Sequence, residues 1–253
     1  MKNDQFVSAS VLVLFFMLWL PMGQYDFLIA HWMKIGTYAI PFLGIGIFAF
    51  FGQEKLQDLF KSIRFLGVLM LIAYILHQFE EHWIDLYGNV YAFYNYNNNF
   101  ILSNLGVPST TIKPLTKESI FVINTSLVWL VGSLAIWRSP KHIFPFFAMA
   151  GIIFVNGLVH IAAAIAKFEY NPGLLTSALL FLPLYFWIVR KTTKLDQGFK
   201  RPIIFGFIWA FLAHVIMVGG LLAANWFNVI PEYLYWMLLV LWSILPAILF
   251  KKK

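Results

Sequence analysis

The chain has no cysteine among its 253 residues. That excludes a thiol nucleophile, thiolate-held zinc or Fe–S clusters, and covalent c-type haem. Neither haem nor an Fe–S cluster is expected as a cofactor. Charge is nearly as scarce: charged residues make up 11% of the chain, against about 25% in a soluble globular domain. The formal net charge is +7, but the basic residues form no single patch, so no nucleic-acid partner is expected. No internal repeat is evident, and the inverted-repeat signature of many transporters is missing. No small-residue cleavage site follows the apolar stretch that ends at Leu20. That stretch therefore reads as a retained first span rather than a signal peptide.

What the chain has in excess is apolar surface: 61% of residues are hydrophobic and 19% aromatic, with phenylalanine dominant. About eight runs are long enough to cross ~30 Å of hydrocarbon. They lie near Phe6–Met22, Ile35–Phe51, Ile63–Leu86, Ile120–Trp137, Ile143–Ala166, Leu174–Val189, Ile203–Ala224 and Tyr233–Phe250. The expected fold is all-α, a polytopic transmembrane helix bundle forming one membrane-embedded domain over residues 1–253. Gln53 to Ser62 mixes Leu56, Leu59 and Phe60 with charges and reads as an interfacial helix. The connection from Tyr87 to Ser119 carries an Asn-rich run and several turn formers, which predicts an irregular loop.

The basic residues alternate in density between successive connections. Lys2, Lys55, Lys61, Arg64, Arg138, Lys141, Arg190, Lys191, Lys194, Lys200, Arg201 and Lys251 to Lys253 fall on one side, 14 of the 18 basic residues. Lys34, Lys113, Lys117 and Lys167 fall on the other. The positive-inside rule then puts both termini in the cytoplasm and the 87–119 loop outside. The plasma membrane of a bacterium fits this bias.

Five ionisable side chains crowd into nine residues, from His77 to Asp85, at the end of an apolar run. His77, Glu80 and Glu81 stand at i, i+3 and i+4 on one helix face. Asp85 extends that face by a turn, while His82 points away from it. Each unpaired charge at membrane depth costs at least ~2.5 kcal/mol, which favours a functional role. At ~1.5 Å per residue, Glu80 and Glu81 lie roughly 6–9 Å below the outer end of their span, and His160 about 9 Å below its own. Asn156 shares a helix face with His160, His214 lies deeper, near the midplane, and Asn124 begins the fourth span. All of them occupy one half of the bilayer.

Three motifs occur in order: His77-x-x-Glu80-Glu81, Asn156-x-x-x-His160 and Tyr170-Asn171-Pro172-Gly173. Together they resemble the HXXEE family of integral membrane proteins, over Ile63 to about Trp187. The resemblance implies a common site and an enzymatic use for it; it names no reaction. In the third motif Asn171 suits an N-cap and Pro172 the first helical position, with free N–H groups facing an anion or carboxylate at the site.

Histidine and glutamate without cysteine form a ligand set for Zn²⁺, Fe²⁺ or Mn²⁺. His77, His160 and one of Glu80 or Glu81 are the expected ligands, and the second glutamate the general base. Asn156 would orient His160 or hold a substrate carbonyl. The favoured reaction is metal-assisted hydrolysis of a lipidic or membrane-borne substrate, ahead of an oxygen-using iron enzyme. Two other readings stay open: a proton- or metal-coupled transporter, and a buried polar knot that only holds helices together. His82 and Asp85 read as solvated groups near the interface, and His214 as a satisfied structural histidine. The sequence leaves the oligomeric state undefined.

Overall fold

The computed structural model describes residues 26–51, 60–104, 113–139 and 142–248. Among them the chain is helical, with no strand beyond one isolated bridge, Ile84 to Val90. The elements are α1 (Asp26–Phe51), α2 (Ile63–His82), α3 (Ala92–Asn104), α4 (Lys117–Arg138), α5 (Phe144–Lys167), α6 (Leu174–Leu195), α7 (Lys200–Leu221) and α8 (Glu232–Ile248). Among the described residues five helices are long and apolar enough to cross a membrane: α2, α4, α5, α6 and α7 extended at both ends. α8 is apolar but shorter. The expected first span and the interfacial helix up to residue 59 lie outside the described residues. α1 is already helical at Asp26, well before the expected Ile35, so the first polar connection is partly helical.

Local chemistry explains the helix ends. The Ser62 hydroxyl accepts from the Phe65 amide at the start of α2, and Thr116 accepts from Ser119 at the start of α4. Pro145 occupies the first turn of α5, where its missing N–H costs nothing. Asp85 ends the α2 region as a turn organiser. Its Oδ1 accepts from the Tyr87 and Asn89 amides at 2.9 and 2.8 Å, and Oδ2 accepts from the Asn89 side chain.

α2, α4 and the first half of α5 fill the centre, where Leu66, Met70, Val131, Phe146 and Met149 are fully enclosed. α6 and α7 are largely exposed, and their outward faces carry Phe186, Phe205, Phe211 and Val215. So much exposed apolar surface suits hydrocarbon rather than water. The connection expected to be irregular contains α3. Its asparagines satisfy the helix instead of breaking it: Asn97 donates to Phe93 O, and buried Asn98 exchanges bonds with both the N–H and the C=O of Leu115. α3 thereby lies across the end of the bundle that holds the polar cluster.

Candidate metal centre

His77 and Glu81 are one turn apart on α2, and His160 projects from α5. All three are buried. His77 Nε2 lies 3.3 Å from Glu81 Oε2, and His160 Nε2 lies 3.1 Å from Glu81 Oε1. One ligand atom from each falls within 4.8 Å of the others. Bonds of ~2.0–2.2 Å at tetrahedral angles separate ligand atoms by ~3.4 Å, close to both imidazole–carboxylate distances, so the three side chains form a group that could hold one ion.

Hydrogen bonds around the imidazoles decide which nitrogen faces the gap. Glu80 receives Tyr170 Oη at 2.9 Å, the Leu175 and Thr176 amides at 3.0 and 2.8 Å, and Thr176 Oγ1 at 2.5 Å. A hydroxyl has one proton, and Thr176 gives it to Glu80. Its oxygen can then only accept from His77 Nδ1, 2.7 Å away. On the other side Asn171 Nδ2 donates to the His160 carbonyl, which turns its Oδ1 toward His160 Nδ1 at 2.7 Å. Both imidazoles therefore hold a proton on Nδ1, and in the neutral ring Nε2 keeps a lone pair that faces the Glu81 carboxylate. His77 Nε2 has no hydrogen-bond partner although it is wholly buried. Lone pairs facing a carboxylate repel it, and a cation between them reverses the sign. The donor set and the orphaned nitrogen fit a divalent metal.

The structure brings together His77, Glu81 and His160 of the expected ligands and turns Glu80 away. Glu80 instead caps α6 from outside, accepting the second and third helical amides. The expected N-cap Asn171 is displaced accordingly. Gly173 occupies that position at φ +97°, and Asn171 orients His160. A Cβ on Gly173 would stand 2.7 Å from Cε1 of both His77 and His160. Tyr170, in the loop before α6, is held as a donor to Glu80 because burial raises its hydroxyl pKa.

His82 is buried rather than solvated, with Nε2 3.4 Å from Glu81 Oε2. A polar chain leads up to it. Trp129 Nε1 donates to Gln78 Oε1, Gln78 Nε2 to Asn124 Oδ1, and Asn124 Nδ2 lies 3.3 Å from His82 Nε2. An indole nitrogen can only donate, so the direction of the chain is set at Trp129. Asn156 donates to Tyr74 Oη in place of orienting His160. His214 lies against the Ala210 carbonyl and outside the cluster, and Asp85 is buried in its turn.

Spacing alone did not reveal Thr176, Gly173, Gln78 or Tyr74. Tyr170-Asn171-Pro172-Gly173 carried a signal for Gly173, since glycine after proline invites a left-handed residue.

A cavity of about 400 Å³ opens on the cluster. Glu81, His82 and His160 are among its polar lining residues, and Leu127, Val128 and Ile152 belong to its apolar wall. Two π-helical segments line it, Asn124–Leu130 in α4 and Leu222–Trp226 after α7, and a third, Ser177–Phe181 in α6, sets Phe181 against the His77 ring. Such windings concentrate at functional sites.

A helical bundle with a buried His/Glu cluster is the class that fold and site define. The model of the family described as "Protein of unknown function with HXXEE motif" matches residues 68–188, from inside α2 to inside α6. Over that segment the chain is similar to the HXXEE family and carries its motif at His77-x-x-Glu80-Glu81. No curated protein and no solved structure matches the chain.

Proposed function

We propose that this protein is an integral membrane, metal-dependent hydrolase acting on a lipidic or membrane-borne substrate. Its eight spans would leave both termini in the cytoplasm of a bacterial cell and the site in the outer half of the plasma membrane. The observation that carries the reading is the convergence of two Nε2 lone pairs on the Glu81 carboxylate, each fixed by a partner on the far side of its ring. His77, His160 and Glu81 would hold a divalent ion, Zn²⁺ ahead of Fe²⁺ or Mn²⁺ for an all-N/O site serving hydrolysis. Such an ion supplies Lewis acidity, polarising a substrate oxygen and easing proton loss from water.

The chain's own residues supply the rest. Thr176 and Asn171 keep both imidazoles in the ligating tautomer. Glu80, the glutamate left over for the base role once Glu81 is a ligand, is occupied by four donors. His82 faces both Glu81 and the cavity, with its Nε2 held as an acceptor by Asn124, and is placed to take a proton. Asn156 and Tyr74 form a hydrogen-bonded pair beside the same space.

Purified protein should carry about one divalent metal per chain by elemental analysis, as a single three-ligand site implies. His77→Ala, His160→Ala and Glu81→Gln should each lose it, whereas Glu80→Gln should keep it. Metal-free protein that also fails to take up Zn²⁺, Fe²⁺ or Mn²⁺ in equilibrium dialysis overturns the reading. Hydrolysis of long-chain p-nitrophenyl esters tests the reaction class; metal-driven flux into proteoliposomes, abolished by Glu81→Gln, would assign the site to transport instead.

A further inference from the structure

We propose that the cavity binds a single-chain amphiphile, which enters sideways from the bilayer between α5 and α7 and sets its head group against Glu81 and His160. The proposal rests on the hydrolase reading for the use of the head group; the chain site stands on its own geometry.

α5 and α7 run in the same direction and meet backbone to backbone at Gly151 and Gly206. A Cβ on Gly151 would lie 2.5 Å from the Gly206 carbonyl oxygen, so no larger residue fits that crossing. Beyond it, toward the His/Glu cluster, both helices contribute to the wall of the cavity. Asn156 and Val159 line it from α5, and His214, Met217 and Val218 from α7. Val159 and Val218 line the cavity and are also 53% and 48% exposed. A residue that both lines a cavity and reaches the surface marks its mouth. The mouth is therefore on the flank of the bundle, beside the apolar outward face of α7, and not at the end. The end is covered by α3, whose Phe93, Tyr96 and Phe100 turn inward. The Lys167 ammonium rests 4.1 Å over the Phe100 ring at that cover.

Polarity and size select the occupant. Its lining joins the polar groups of Glu81, His82 and His160 to a predominantly hydrocarbon wall, the pairing of surfaces that an amphiphile presents in reverse. A fully polar solute would leave the Leu127–Ile152 wall facing water. At about 400 Å³ the cavity is at the small end of the ~300–1,000 Å³ range of ligand sites. That suits one chain with a compact head rather than a two-chain lipid.

The test uses full-length protein in phosphatidylcholine nanodiscs and a long-chain lysophospholipid with a diazirine on its acyl chain. Photolysis and peptide mapping should place label on Leu127, Val128 and Ile152 at about tenfold the level on lipid-facing Phe211 and Val215, as a site favoured by ~1.4 kcal/mol requires. Ile152→Trp should abolish the cavity label by filling the space. Val218→Trp, at the exposed rim where folding tolerates the change, should reduce it by closing the mouth. His160→Ala should lose metal yet keep the label, which separates failure of the chain site from failure of the metal site. Label spread evenly over the lipid-facing helices overturns the proposal. So does unchanged cavity label in Val218→Trp, or equal cavity label from a two-chain phosphatidylcholine probe.

Discussion

Glu80 and Glu81 are neighbours in sequence, yet 100° of helical rotation separates their side chains and gives them different work. Glu81 has imidazole nitrogens of His77, His82 and His160 within 3.4 Å. Glu80 holds the first turn of α6. Removing Glu80 strands two amides and two hydroxyls, which costs about 1–3 kcal/mol. Glu80→Ala should accordingly lower the thermal midpoint by several degrees while metal content stays near that of the parent. Glu81→Gln should do the reverse. Gly173→Ala combines a left-handed φ, costing roughly 1–2 kcal/mol, with a methyl driven into both ligand rings. Metal affinity measured by competition with a chelator should drop by about 10–100-fold, the range seen when ligand orientation is disturbed. The motif spacings made His77, Glu81 and His160 legible before any coordinates, because i, i+4 on one helix is a geometric statement. They could not separate the two glutamates, since both share the face that the spacing defines. His82 was hidden for a different reason: it meets its own neighbour's carboxylate, which reaches sideways to it.

At the scale of elements, the π winding of α4 is what the sequence concealed. At a uniform 3.6-residue period Asn124 and Trp129, five apart, diverge by about 140°. The structure has both side chains bonded to Gln78, from opposite ends of its amide. The wider turn over Asn124–Leu130 is what lets residues five apart share a partner. Deleting buried Ser126 should restore ordinary α winding and break one of these bonds, for a loss of about 1–3 kcal/mol. Gln78→Ala should add little to that loss, because both changes remove the same chain. Thermal melts of the two single variants and the combination check this; full additivity would separate the winding from the Trp129–Gln78–Asn124 chain. α3 was illegible for the opposite reason. Asparagine is a poor helix former in isolation, and here its amides bond to the helix and to Leu115, so tertiary contacts overrule propensity.

Across the whole molecule, the sparse cations of the site end share one habit. Lys34 lies over Trp83, Lys113 over Tyr94, Lys117 over Tyr91 and Lys167 over Phe100, with the ammonium 4.1–5.4 Å from each ring centroid. Aromatic rings with lysine heads beside them belong at a membrane–water boundary, where each ring meets hydrocarbon and each charge meets water. The opposite end carries Arg190, Lys191, Lys194, Lys200 and Arg201 in one connection, without that pairing among the cation–ring contacts of the described residues. Two ends of different character thus flank the apolar faces of α6 and α7, and the proposed orientation, resting on the positive-inside rule, sets the denser one in the cytoplasm. The absence of native cysteine makes the assignment directly testable, because any introduced thiol is the sole one. In intact cells a membrane-impermeant maleimide should label Lys113→Cys and Glu169→Cys. It should label Lys61→Cys and Lys194→Cys only after permeabilisation. The opposite pattern would invert the orientation and move the His/Glu cluster to the cytoplasmic half. A mixed pattern, with Lys113 and Glu169 on different sides, would break the alternation across α4 and α5 and with it the eight-span reading.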